Sequence, residues 1–406
     1  MKITGPKWAT LMLYGAAAIL AWTHGAIGQD SRIDRIAAQQ EEKSKKLQAD
    51  LPDKVEQFIT RMQKSGWLLS ANPNGFYPYF DSVYSGGGLT LGAGYRHFYG
   101  DYSFAEVRGL YSFQNYKRIE FQTVSTGYAS GRLGFDMKTG WMDATKIPYY
   151  GLGAKTTQDQ ETNFRLQETY LDGGATVKPF SWLHLRGGTG LNYYTDKEGT
   201  GLSPSIEKLY TPATAPGLHS TPSYVQSQVS VGIVTAPAEG YARRGGIYRY
   251  SFHDYRNVSG NMDSFQMSRT ELVQHIPILR ETWILSLRGQ LESVVGSNPE
   301  VPYYLLPWLG SGSTLRGYGT GRFRDRNSML FSGEWRWVPN RFFLDMALFY
   351  DAGTVAPQFK DLSFHQMKHD YGVGVRFHGP AVTALRMDVA HGSEGWAIIF
   401  AASAPF

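Results

Sequence analysis

Cysteine is absent from the 406 residues, which removes disulfides and thiolate metal ligands from consideration. Beyond residue 28 no apolar run approaches the ~20 residues that a membrane-crossing helix needs. Charge of one sign is not in large excess: the formal net charge is +5. The basic residues are spread along the chain rather than gathered, which argues against nucleic acid as a partner. The signatures of common catalytic machinery are missing too. There is no Gly-x-Ser-x-Gly elbow, no His-Glu-x-x-His and no phosphate-loop lysine. His365 and His369 are four apart, which would suit a metal pair on a helix, but they fall in an expected external loop. His184 shares an inner face with Arg186, whereas a membrane hydrolase would need its nucleophile and histidine on the lipid side. No enzyme, cofactor or metal is expected.

What the chain has is glycine and aromatics: 46 Gly, 26 Tyr, 22 Phe and 10 Trp. They lie in many short segments, which points to one large all-β domain rather than several mixed ones. Residues 1–28 read as a signal peptide: Lys2 and Lys7 form the positive end, Leu11 to Trp22 the apolar core, and Ala26-Ile27-Gly28 a small-residue cleavage site. Loss of both lysines lowers the net charge to +3. Residues 29–76 form a second region. Its charged stretch 31–64 has helical propensity, broken at Leu51-Pro52, and is either a pair of short periplasmic or plug helices or a solvated coil.

From Tyr77 the pattern alternates with period two. In "ETWILSLRGQLES", Trp283, Leu285, Leu287, Gly289 and Leu291 share one face; Thr282, Ser286, Arg288, Gln290 and Glu292 share the other. "NSMLFSGEWRW" sets Met329, Phe331, Trp335 and Trp337 against Ser328, Ser332, Glu334 and Arg336. "RFFLDMALFYDAG" sets Phe342, Leu344, Met346, Leu348 and Tyr350 against Asp345 and Asp351, and later segments put Arg376, Arg386 and Asp388 on the polar face. Segments of ~9–11 residues match a tilted bilayer crossing, and aromatics at their ends resemble an interfacial girdle. Sixteen such segments are expected between Ser85 and Pro405, an even number that lets a barrel close and removes both edges. Long connections should follow segments seven, eleven and thirteen, and tight turns should follow six ("KPFS"), twelve ("VPNR") and fourteen ("HGPA"). The turn after segment eight, "TAPAEGYARR", is longer than this scheme prefers.

The connection after segment eleven holds "GSTLRGYGTGRFRDRN", residues 312–327. An arginine in an external loop is ordinarily solvated. Here Gly310, Gly312, Gly317, Gly319 and Gly321 let the backbone fold tightly against other groups. In segment thirteen, "FYDAG" puts Asp351 on the inner face with Phe349 and Gly353, where a carboxylate is costly unless paired or wet.

The Leu-Arg-Gly-Tyr run, Leu315 to Tyr318, followed by Phe-x-Asp-x-Gly in the thirteenth of sixteen segments, resembles the bacterial surface antigen superfamily of outer-membrane β-barrels. That superfamily holds the BamA/TamA-like assembly proteins and the two-partner secretion transporters. The resemblance is most specific over 310–406 and implies a 16-stranded antiparallel transmembrane barrel over 77–406, in the outer membrane. It also implies a loop folded into the lumen, with Arg316 paired to Asp351 and supported by Leu315, Gly317, Tyr318, Phe349 and Gly353. Phe406 would end the last strand as its signal, although Pro405 is unusual in a strand that must pair. Residues 29–76 are too short for a POTRA module of ~75 residues, so the chain resembles a POTRA-less member. The implied partners are outer-membrane lipid, lipopolysaccharide, and nascent outer-membrane or secreted proteins. Three functions stay open: an insertase or translocase whose first and last segments part, a passive channel lined by Arg288, Arg336, Arg376 and Arg386, or a structural surface barrel. The run Gly86-Gly87-Gly88 with Gly92 and Gly94 either weakens the first segment or relieves crowding in a curved sheet.

Overall fold

A computed structural model describes residues 73–406, except 85–86, 88–89, 102, 238–240, 280, 297–298, 340–342 and 379–382. The expected signal peptide and nearly all of the expected helical segment 29–76 lie outside the described residues. So do Gly86, Gly88 and Phe342.

The chain alternates as its apolar pattern predicts. Its strands are β1 (Gly75–Tyr79), β2 (Thr90–Phe98), β3 (Phe104–Ser112), β4 (Lys117–Gly127), β5 (Leu133–Tyr149), β6 (Thr162–Phe180), β7 (Leu183–Glu198), β8 (Ser223–Val234) and β9 (Gly245–Asn257). They continue as β10 (Phe265–Ile278), β11 (Trp283–Val295), β12 (Trp308–Leu309), β13 (Phe323–Arg324), β14 (Asn327–Trp337), β15 (Leu344–Ala356), β16 (Lys368–His378), β17 (Thr383–Gly392) and β18 (Gly395–Ala401). Sixteen of them form one antiparallel sheet in chain order, from β1 through β11 and then β14 to β18. β12 and β13 make a separate two-stranded pair inside the connection between β11 and β14. No register joins β1 to β18 among the described residues. No helix among them is long and apolar enough to cross a membrane.

Two boundaries differ from those read in the sequence. The first strand begins at Gly75, not near Ser85, so a domain start at 77 cuts through it. The signal was weak because β1 is five residues long, and Pro78 interrupts its propensity. The last strand ends at Ala401, not near Pro405. Phe406 therefore lies beyond the strand it was expected to end, and its ring faces the Arg288 guanidinium of β11 at 5.8 Å. Proline lacks the N–H that would continue the ladder, which fits a strand stopping short of Pro405.

One face of the sheet is apolar and exposed, with Phe331, Trp335, Trp337, Leu348, Tyr371, Val373, Ile398 and Phe400 among its residues. The other is polar and buried: Glu334, Arg336, Asp345, Asp351, Asp370, Arg376, Arg386 and Asp388 are all at most 5% exposed. That inversion of the usual globular pattern is what a lipid-facing wall around a filled interior requires. The buried face also carries an aromatic cluster near the long-connection ends of the strands. Tyr149, Phe164, Tyr194, Tyr224 and Phe265 pack there with Tyr303 and Tyr304. Long connections follow β7, β11 and β15 and short ones follow β6, β14 and β16, as expected; residues 235–244, between β8 and β9, are long on the short side, and the turn 393–394, between β17 and β18, is short on the long side.

Candidate functional site

The β11–β14 connection does not project away from the sheet. Gly310 turns at φ +102°, a conformation only glycine adopts readily, and a Cβ there would collide with the Gly319 carbonyl. The connection then lies on the buried face. Leu315 (0% exposed) packs with Leu309, Tyr318 and Phe323 of the same connection and with Leu330 and Val355 of β14 and β15. A Cβ on Gly317 would meet the Asp370 Cβ at 2.6 Å and the Gly392 nitrogen at 2.7 Å. Only glycine lets the loop backbone approach β16 and β17 this closely.

That approach delivers the Arg316 guanidinium to β15. Nε donates to Asp351 Oδ2 at 2.7 Å and Nη2 to Asp351 Oδ1 at 3.0 Å, a two-pronged contact. Nη1 donates to Glu334 Oε2 at 3.0 Å and lies 3.7 Å from Asp388 Oδ2. The guanidinium carbon stands 3.5 Å from the centre of the Phe349 ring, two residues before Asp351 on the same face. Arginine suits this place because its planar fork fits a carboxylate and stacks on a ring while staying charged. Burial would lower the Arg316 pKa, but the facing carboxylates, Asp351 foremost, overcome that and raise it above its ordinary value.

The remaining groups extend the pair into a network. Arg376 of β16 donates to Glu334 at 2.6 Å and lies 3.2 Å from Asp388. Arg386 lies 3.2 Å from Asp388 and donates to the Gly312 carbonyl at 2.6 Å. Asp370 faces Asp351 in register across β15 and β16. The loop is held at its edges as well. Tyr318 Oη lies 3.0 Å from Ser393 Oγ and donates to the His369 carbonyl at 3.2 Å. Arg322 Nε donates to Glu394 Oε1 at 2.9 Å and Nη1 to Thr156 Oγ1 at 2.7 Å, tying the loop to the β17–β18 turn and to the β5–β6 connection. Gly353 sits where a Cβ would meet Leu309 Cδ1 at 2.8 Å, so it too marks close packing of loop on strand.

The expected residues Arg316, Asp351, Leu315, Gly317, Tyr318, Phe349 and Gly353 thus meet in one place, whereas Phe406 does not join them. Glu334, Asp388, Asp370 and the Arg322–Glu394 contact went unread in the sequence as partners of this loop. Their signal was present in part: Glu334 and Asp388 stand on the charged inner face. His369 is in strand β16, not in a loop, and its Nδ1 lies 2.7 Å from the Tyr350 hydroxyl. Among the described residues no group of three or more His, Asp or Glu is placed to hold a metal ion.

Residues 240–393 match the Omp85 superfamily domain. The fold is similar to that of BamA from Haemophilus ducreyi, in a crystal structure lacking POTRA domains 1–3. The identity there is 13%, the TM-score 0.59, and the match covers 81% of this chain and 70% of that one. It is also similar to CdiB from Escherichia coli, at 10% identity and a TM-score of 0.54, covering 81% of this chain and 63% of that one. The match thus spans under two thirds of the CdiB chain. No curated protein matches the sequence.

Proposed function

For a chain that belongs with the surface antigen superfamily, we propose that the sixteen-stranded sheet closes into a barrel in the bacterial outer membrane. There it serves protein chains that enter or cross the membrane, and it acts by opening rather than by covalent chemistry. The observation that carries this reading is the Arg316 loop, folded onto the buried face and held on Asp351, Glu334 and Asp388. A loop tied to the final strands by this many charged contacts supports an interior that is held closed at rest. In this reading the Arg316–Asp351 pair pins the loop inside the lumen.

The loop also touches the last strand. A Cβ on Gly312 would meet Ile399 Cγ2 at 2.6 Å, and Arg322 reaches Glu394 beside β18. Loop position and the state of the β18 edge are therefore mechanically joined. An unpaired edge is a template for an incoming strand, through backbone hydrogen bonds that any sequence supplies. β1 is only five residues long and carries Pro78, so its ladder to β2 is the shortest in the sheet, although the buried Tyr77 hydroxyl still donates to Glu106 at 2.8 Å. The passive-channel reading is less well supported, because the aromatic cluster around Tyr149, Tyr194, Tyr224 and Tyr303 fills the interior near the long connections.

Photocrosslinkers placed along Gly395–Ala401 test this. Capture of unfolded outer-membrane or secreted chains, strengthened in Arg316→Ala, is expected. A steady open conductance of the wild-type protein with no captured chain would overturn the reading in favour of a channel.

A further inference from the structure

The long turn between β8 and β9 has a destination. Tyr241, only 5% exposed, leaves that turn and reaches the buried face of β14, β15 and β16. Its hydroxyl donates to Asp345 Oδ2 at 2.6 Å and lies 3.1 Å from His378 Nε2. Its ring stacks on the His378 imidazole at 4.0 Å between centroids and 10° between planes. The guanidinium carbons of Arg336 and Arg243 each lie 5.5 Å from the ring centre. His378 Nε2 is itself 3.2 Å from Asp345 Oδ1. Arg336 also donates to the Ala242 carbonyl.

Arg336, Asp345 and His378 sit near the ends of three adjacent strands, β14, β15 and β16, while Tyr241 arrives from a connection several strands away. Without Tyr241, the wall would present a buried carboxylate acceptor, a flat imidazole and a cation around one ring-sized space. A phenol satisfies all three: its hydroxyl donates to the acid, its face stacks, and its π system meets the cation. A phenyl ring would leave the buried Asp345 oxygen without a donor, and sites built around a hydroxyl reject its absence strongly. The second contact reads only a peptide carbonyl, one residue after the tyrosine, which every chain has.

We propose that Asp345, His378 and Arg336 form a receptor for a tyrosyl side chain of an extended polypeptide, filled in cis by Tyr241 and available in trans when the turn withdraws. The inference rests on the proposed function for its occupant, since only a chain entering the lumen could bring one. The cis contact makes Tyr241 an internal competitor that keeps the receptor closed until a substrate chain displaces it.

Two measurements test it on the purified full chain. In Tyr241→Gly, 4-methylphenol should bind about tenfold more tightly than toluene, the equivalent of ~1.4 kcal/mol for the recovered hydrogen bond. Asp345→Asn added to that variant should abolish the preference, and wild type, where Tyr241 competes, should bind 4-methylphenol more weakly than Tyr241→Gly does. Tyr241→Gly that keeps wild-type heat-modifiable migration yet binds both compounds equally, or neither, overturns the receptor. The chain has no cysteine, so Ala242→Cys gives a single buried thiol that reports withdrawal of the turn. Tyr241→Phe should raise its maleimide labelling rate severalfold. N-acetyl-tyrosine amide should also speed labelling with Tyr241 intact, and N-acetyl-phenylalanine amide should not. Equal effects of the two amides, or no effect of either, overturn binding in trans. A receptor that passes while β18 captures no chain would leave the phenol site standing and sink the proposed function instead.

Discussion

Two segments fold onto the buried face from opposite ends of the strands, and both end on a carboxylate of β15. From the long-connection side Arg316 meets Asp351; from the short-turn side Tyr241 meets Asp345. The first contact is ionic, two-pronged and embedded among Glu334, Asp388, Arg376 and Arg386. The second is a single hydroxyl donor with a stacked ring. Removing one member of a buried ion pair strands a charge, whereas removing a hydroxyl strands one acceptor. The two contacts are thus built for different tasks: the arginine for permanence, the tyrosine for exchange.

The largest effect should come from Arg316→Ala, which leaves Asp351, Glu334 and Asp388 facing one another with less compensation. Breaking a buried pair in this way costs ~3–5 kcal/mol. The temperature at which heat-modifiable migration is lost in detergent should fall sharply. Asp351→Ala should cost less, because Arg316 keeps Glu334 at 3.0 Å. Arg316→Lys should rescue little, since an ammonium cannot form the fork or stack on Phe349. Adding Asp351→Ala to Arg316→Ala should cost little more, because the shared contact is already gone. Additive losses would show that the two side chains are not one unit.

Gly317→Ala should follow, at roughly 1–3 kcal/mol, the usual range for overpacking a tight site. The added methyl meets the Asp370 Cβ and the Gly392 backbone, neither of which can rotate away. It should displace Arg316 and lower thermal resistance without any change of charge. A Gly317→Ala protein as heat-resistant as wild type would mean the loop does not depend on this approach. Tyr241→Phe should cost ~1–3 kcal/mol, the penalty for a buried acceptor left without its donor, and should leave the Arg316 network unchanged. If it destabilised the protein as much as Arg316→Ala, the distinction between a permanent and an exchangeable contact would fail.

How much of this the sequence disclosed follows the same division. The Arg316 loop was legible because its chemistry is conspicuous: a basic residue among five glycines, and an acid on the inner face of an alternating strand. The succession of strands was legible because period-two patterning runs through β5 to β17, although the span from Ser85 to Pro405 holds fifteen strands of the sheet and the sixteenth is β1. Neither Glu334 nor Asp388 could be assigned to Arg316, since alternation fixes which face a residue takes but not its height relative to a folded-in loop. Register supplies that height, and register is set by pairing along the whole sheet. Tyr241 was hidden for another reason. One tyrosine among 26 carries no positional signal, and only the unusual length of "TAPAEGYARR" marked its turn as different. β1 was placed late because five residues including a proline give too few alternations to count.

The smallest effect expected is at the flank of the tyrosine contact, and it separates two accounts of what holds that turn. Arg244, three residues after Tyr241, lies 3.8 Å from Glu281 of the β10–β11 turn, with side chains 69% and 37% exposed. If charge anchored both inward segments alike, this pair would be the short-side counterpart of Arg316–Asp351. Its exposure argues otherwise, because solvated pairs gain little Coulomb energy and lose side-chain freedom on pairing. Glu281→Gln keeps the shape and removes the charge. It should change stability by less than about 0.5 kcal/mol and leave Ala242→Cys labelling at its wild-type rate. A labelling rate that rises as far as in Tyr241→Phe would move the anchor of the turn from the buried hydroxyl to the surface charge, and the two ends of β15 would then work by the same principle.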